Sequence, residues 1–144
     1  MFRQLAAEAG MSLAEFGVHA QGHPEIDIEL DRRLTERARE GDCVIESRLA
    51  GWLTARAGLP AVRVWIDCSE RIRAERVALR DGTTVEQATL DNRARASLEH
   101  ARYLAVYDID LGDRSAYDLV LESTHAPATE LADEVIRAAA IRFS

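Results

Sequence analysis

The sequence predicts an α/β fold built on a parallel sheet. Three apolar runs too short for helices carry that expectation: Cys43-Val44-Ile45, Val62-Arg63-Val64-Trp65-Ile66-Asp67, and Tyr117 to Glu122. Helix-spaced stretches separate and flank them, and strands alternating with helices imply parallel pairing through right-handed crossovers. The size and balance fit one domain, residues 1–144, because 144 residues at 47% hydrophobic and 30% charged can bury a sizeable core.

The elements follow in order. Phe2, Leu5, Ala6 and Ala9 lie at helix spacing, and Gly10 ends that helix. Ser12 caps a second helix running to about Ala20, with Glu15 completing a capping box. Pro24 opens a third, Glu25 to Glu40, whose Ile26, Leu30, Leu34 and Ala38 form a stripe every four residues before Gly41 stops it. The run Cys43-Val44-Ile45 is apolar throughout, as expected of a strand covered on both faces. Helices are expected at about 49–57, 69–80 and 84–106, around the second run, and the third run leads to a last helix from Ala128 to Arg142. The Ala, Leu and Val stripe of that last helix reads as core packing.

Composition excludes several function classes. A net charge of −7 opposes sequence-independent binding to DNA or RNA, which draws on a basic surface. No stretch approaches the roughly 18 apolar residues of a membrane span, and Met1 to Gly10 lacks the apolar core of a secretory signal. Cys43 and Cys68 have no metal-ligand spacing and read as buried thiols in a reducing compartment, so a cytoplasmic location is expected. His19, His23, His100 and His125 show no ligand spacing and read as surface or capping residues.

All 18 basic residues are arginine, and there is no lysine. Arginine's planar fork grips phosphate oxygens in pairs and stays charged. An arginine-rich genome would produce the same count, so placement has to decide. In open α/β sheets chemistry sits beyond the carboxyl ends of the strands. The first run leads into Glu46-Ser47-Arg48, and the second ends at Asp67 before a helix on which Arg73, Arg76 and Arg80 share a face. Three like charges on one stripe repel unless an anion sits among them, while Arg71 and Glu75 are placed to pair one turn apart. On the long helix Arg95, Glu99 and Arg102 stand at i, i+4 and i+7, with Arg93 close by. A solvated, salt-bridged surface explains any one cluster. Three clusters together suit phosphoryl transfer, in which cations surround the charge on the moving phosphate and a lid excludes water.

A collinear series of words over nearly the whole chain resembles the archaeal-type cytidylate kinase family of P-loop nucleoside monophosphate kinases. The words are Phe2-Arg3, Pro24-Glu25-Ile26-Asp27, Glu29-Leu30-Asp31-Arg32-Arg33, Glu46-Ser47-Arg48-Leu49-Ala50-Gly51-Trp52, Arg73-Ala74-Glu75-Arg76, Arg93-Ala94-Arg95, Arg102-Tyr103, Tyr107, Ile109-Asp110, Asp113 and Tyr117-Asp118-Leu119-Val120. The resemblance implies a P-loop kinase-type three-layer α/β fold with a parallel sheet, CMP-binding helices over about 1–40, and a helical lid over about 81–106. It implies transfer from ATP, carried with Mg²⁺, to CMP or dCMP, giving CDP or dCDP, in a cytoplasmic monomer that binds neither nucleic acid nor membrane. Arg3, Asp27, Arg48 and Glu99 would bind CMP, Arg76 and Arg80 would face ATP, and Arg95 and Arg102 would be the catalytic lid arginines. No protein ligand for the metal is identifiable. Leu98 stands where the family tends to carry Ser, and Asp108 replaces a Gly.

The family opens with a strand and a Gly-rich loop whose lysine holds the donor phosphates, and these 144 residues contain neither that loop nor any lysine. The expectation is therefore an N-terminally truncated form, by a misassigned start codon or a natural deletion, lacking the first and central strand. Alone it should be poorly stable and inactive as a kinase. The alternatives are a noncatalytic nucleotide-binding or partner-binding remnant, and another small-acceptor P-loop kinase.

Overall fold

The computed structural model describes residues 2–144, apart from the side chains of Phe2, Arg3, Gln4 and Gln21. The order is α1 (Phe2–Glu8), α2 (Leu13–Gln21), α3 (Pro24–Arg39), α4 (Ala50–Arg56), β1 (Val64–Asp67), α5 (Glu70–Asp81), α6 (Val85–Tyr107), β2 (Leu119–Glu122) and α7 (Ala128–Arg142). It is a mixed α/β architecture, largely helical, with one parallel pair of strands, in accord with the P-loop kinase-type expectation.

Local chemistry sets the helix starts. The Ser12 hydroxyl accepts from the Glu15 amide at 3.2 Å while the Glu15 carboxylate accepts from the Ser12 amide at 2.8 Å, so two otherwise unpaired groups at the start of α2 are satisfied. Pro24 occupies the first turn of α3, where its missing N–H costs nothing. Ser69 and Thr84 cap α5 and α6 through their hydroxyls.

Two clusters hold the helices. Leu49, Tyr103 and Ile109 are buried together, with Trp52, Leu53, Tyr107 and Leu111 packed around them. Ala74, Ala78 and Ala88 form the second, where small side chains let α5 and α6 approach closely. Gly51 is buried against the Tyr117 ring: a β-carbon there would lie 2.3 Å from Cε1, so only glycine fits.

The sheet departs from expectation. β1 pairs with β2 in register Val64↔Leu119 to Asp67↔Glu122, and among the described residues no strand lies on the other edge of β1. Cys43-Val44-Ile45, expected as a strand, takes no regular structure, and Val44 is fully exposed at 101%. An apolar run becomes a strand only when a neighbour satisfies its backbone groups, and none is present beside it. The buried-thiol reading fails for the same reason, since Cys43 is exposed and Cys68 half-buried. In α7 Leu131 is buried, but Ile136 and Ile141 are exposed, so the expected core stripe is only partly covered. No described helix is long and apolar enough to cross a membrane.

Candidate functional site

The site lies where α3, the start of α4 and the middle of α6 meet. Arg48 precedes α4 in a short turn fixed by the Leu49 amide donating to the Ser47 hydroxyl at 3.2 Å and by the full burial of Leu49. Its guanidinium Nε lies 3.0 Å from Glu99 Oε2 on α6. Arg95, one turn earlier on α6, places its Nε 3.5 Å from Glu99 Oε1. Glu99 is sheltered, its side chain 15% exposed, whereas Arg48 and Arg95 remain nearly half exposed. The fold thus brings Arg48, Arg95 and Glu99 together across 47 residues of sequence.

Directly beneath lies a second pair of a different kind. Arg102 Nε sits 2.7 Å from Asp27 Oδ2 with both side chains 4% exposed, and the same guanidinium donates to the Gly17 carbonyl and the Tyr103 hydroxyl, each at 3.3 Å. α2, α3 and α6 are pinned together at this point. Arg102, expected as a catalytic lid arginine, is buried, because α6 packs its Arg102-Tyr103 face against α2 and the core. Asp27 is likewise occupied by Arg102. Burial raises the Asp27 pKa, opposed by the adjacent guanidinium.

One turn along α3, Asp31 accepts a 2.7 Å hydrogen bond from the Tyr107 hydroxyl. Burial lifts Asp31 to about 6, partly offset by that bond. The Tyr107 hydroxyl is held protonated, again chiefly by burial. The sequence words contain both residues, but nothing in their spacing pairs them, since they stand 76 residues apart.

The arginines expected to face ATP lie elsewhere. Arg76 donates to the Ser123 carbonyl at 2.7 Å and to the Ser123 hydroxyl at 3.3 Å, spanning from α5 to the residue after β2. Arg80 forms a bidentate pair with its neighbour Asp81 at 2.6 and 2.7 Å. Two members of the expected Arg73, Arg76 and Arg80 stripe therefore have partners of their own, Ser123 and Asp81. The expected Arg71–Glu75 pair is present at 2.8 Å, and Arg93 ties α6 to α5 through a bidentate contact with Glu70 at 2.6 and 2.7 Å. The Arg3 side chain lies outside the described residues. Among the described residues no three His, Cys, Asp or Glu side chains are grouped to hold a metal ion.

Fold and site together define an α/β domain in which two guanidinium groups share one carboxylate at the junction of three helices. The chain belongs to the cytidylate kinase-like family, whose model matches residues 1–125. It is 49% identical over 124 residues to the cytidylate kinase of Pyrococcus horikoshii, covering 86% of this chain and 63% of that protein. It is 48% identical over 124 residues to the Pyrococcus abyssi cytidylate kinase, covering 86% and 67%, and 40% identical over 125 residues to that of Methanocaldococcus jannaschii, covering 86% and 70%. The chain thus spans only about two thirds of the length of these relatives. No solved structure matches it.

Proposed function

We propose that these residues form the acceptor half of an enzyme transferring a phosphoryl group from ATP to CMP or dCMP, giving CDP or dCDP. The observation that supports it most is the convergence of Arg48 and Arg95, from separate elements, on the single carboxylate of Glu99. Arg48 and Arg95 share that one carboxylate and stay nearly half exposed, while Arg102 and Asp27 pair beneath them, an arrangement suited to an acceptor phosphate. Arg48 holds the CMP phosphate, joined by Arg3. Arg95 bridges acceptor and donor phosphates, and Arg102 and Asp27 keep α6 fixed on α3 beneath it. Arg76 and Arg80 belong to the ATP side.

The reaction is an in-line attack by a CMP phosphate oxygen on the γ-phosphorus of ATP, with ADP leaving. Positioning and charge stabilisation supply the acceleration. The donor phosphates require a Gly-rich loop and a lysine, which these 144 residues do not contain, so that half of the site is supplied from outside them. Mg²⁺ would arrive with the ATP.

Calorimetric titration of the chain with CMP and with ATP tests this. CMP binding without turnover is expected. Binding of neither nucleotide counts against the assignment. Comparison of CMP, UMP, AMP and shikimate as acceptors, in a protein that also carries the Gly-rich loop, distinguishes a cytidylate kinase from another small-acceptor kinase.

A further inference from the structure

We propose that Glu99 is a latch on the anion site, an internal carboxylate that occupies the two guanidinium groups until an incoming phosphate displaces it. The proposal rests on the acceptor-site reading above and concerns its regulation. The geometry is that of a substitute ligand: a two-oxygen anion set between two cations, one oxygen 3.0 Å from Arg48 and the other 3.5 Å from Arg95. Its side chain is 15% exposed while its partners are 45% and 44% exposed, so the cations reach outward from a carboxylate seated behind them. Close by, Asp27 and Arg102 are buried and paired with each other at 2.7 Å, and Asp31 is held by the Tyr107 hydroxyl.

This arrangement has two consequences. Without a ligand, the like charges of Arg48 and Arg95 are held side by side at low cost, so the site stays assembled. When a phosphate arrives, its oxygens compete with Glu99 for the same two guanidinium groups, and part of the binding free energy goes into opening the latch. Anion affinity is lowered, and a neutral nucleoside, which does not need those groups, is unaffected.

The test is calorimetric titration of the chain and of Glu99→Gln with inorganic phosphate, CMP and cytidine, with circular dichroism to verify that the variant is folded. Removing one half-exposed ion-pair set should tighten phosphate and CMP by about threefold to tenfold and leave cytidine unchanged. Glu99→Asp, one methylene shorter, should fall between the two proteins and serves as the readout if the glutamine variant does not fold. Weaker binding of CMP and cytidine alike would mean that Glu99 touches the nucleoside, which overturns the latch. Unchanged phosphate affinity overturns it too, as does failure of both proteins to bind phosphate. If phosphate tightens in the variant but CMP binds no better than phosphate, the latch stands and the cytidylate reading fails.

Discussion

The arginines of α5 and those around α6 are alike in residue type and in helical spacing, yet the structure uses them oppositely. On α5 Arg71 and Arg80 are answered within their own helix, by Glu75 and Asp81, and Arg76 is answered by the polar atoms of Ser123 beyond β2 rather than by a carboxylate. Around α6 Arg48 and Arg102 meet carboxylates across elements while Arg95 meets Glu99 on its own helix, and the groups separate into a buried pair, Asp27–Arg102, and a carboxylate shared by two guanidinium groups, Glu99. A stripe of cations is therefore not a ligand site in itself. Ligand-ready charge arises where the fold brings more guanidinium groups together than carboxylates to neutralise them.

The sharpest way to break this contrast is to remove a cation from each region. Arg102→Met should destabilise the chain by about 3–5 kcal/mol in urea unfolding, because Asp27 is left as an unpaired buried charge. Arg80→Met, which removes an exposed pair with an adjacent residue, should leave the midpoint within error. The double variant Asp27→Leu with Arg102→Met should recover most of the loss, since an apolar pair of similar volume often replaces a buried ion pair without penalty. Equal effects of the two single variants would dissolve the distinction.

Ligand binding sharpens the same comparison at smaller energy. Arg48→Ala should weaken CMP by about tenfold, the scale of one charge-assisted contact to phosphate, while Arg80→Ala leaves CMP unchanged. Isothermal titration of both variants decides this. An equal loss at Arg80 would move the acceptor site to the α5 face.

How much of this was legible in sequence depends on the range of the interaction. The Ser12–Glu15 capping box, Pro24 at the start of α3 and the Arg71–Glu75 pair are set by residues within one turn, and spacing alone locates them. The run Cys43-Val44-Ile45 has strand composition but no neighbour to bond with, so its local signal is not realised. At the site, Arg48, Arg95 and Glu99 were legible as residue types beyond a strand run and on a helix face. The burial of Arg102 was not, because it depends on α2 and α3 closing over α6. The Asp31–Tyr107 bond was hidden for the same reason.

Asp31 also gives the buried side of the comparison a pH signature. Its folded pKa of about 6 lies above the ordinary carboxylate value of 3.8, so the folded state binds protons before the unfolded state does. Stability should rise as pH falls from above 6 towards 4. Exposed carboxylates such as Glu29, held at about 2 by hydrogen bonds from Arg32 and Arg33, act in the opposite sense below about 4.5. The thermal midpoint should therefore peak where these ranges meet, and Asp31→Asn should diminish the rise on the alkaline side of the peak, the remainder coming from Asp27, which burial raises as well. A profile unchanged by Asp31→Asn would show that the α3–α6 junction is not the group titrating.

The smallest effect expected comes from the end of α6, where neither charge nor ligand is involved. Asp108 terminates the helix with φ of 52°, in the left-handed region, and its amide donates to the Leu104 carbonyl at 3.0 Å. A side chain with a β-carbon is disfavoured there by about 1 kcal/mol or more, although aspartate tolerates it better than most residues. Glycine removes that strain but has more freedom to lose on folding, so the two terms partly cancel. Asp108→Gly should then stabilise the chain by about 0.5–1 kcal/mol in urea unfolding and leave CMP affinity untouched. At this turn the Arg56 guanidinium bonds to the main-chain carbonyls of Tyr107 and Asp108 and lies over the Trp52 ring, so the substitution removes none of these partners. Destabilisation by Asp108→Gly would show that the aspartate side chain contributes to ending α6.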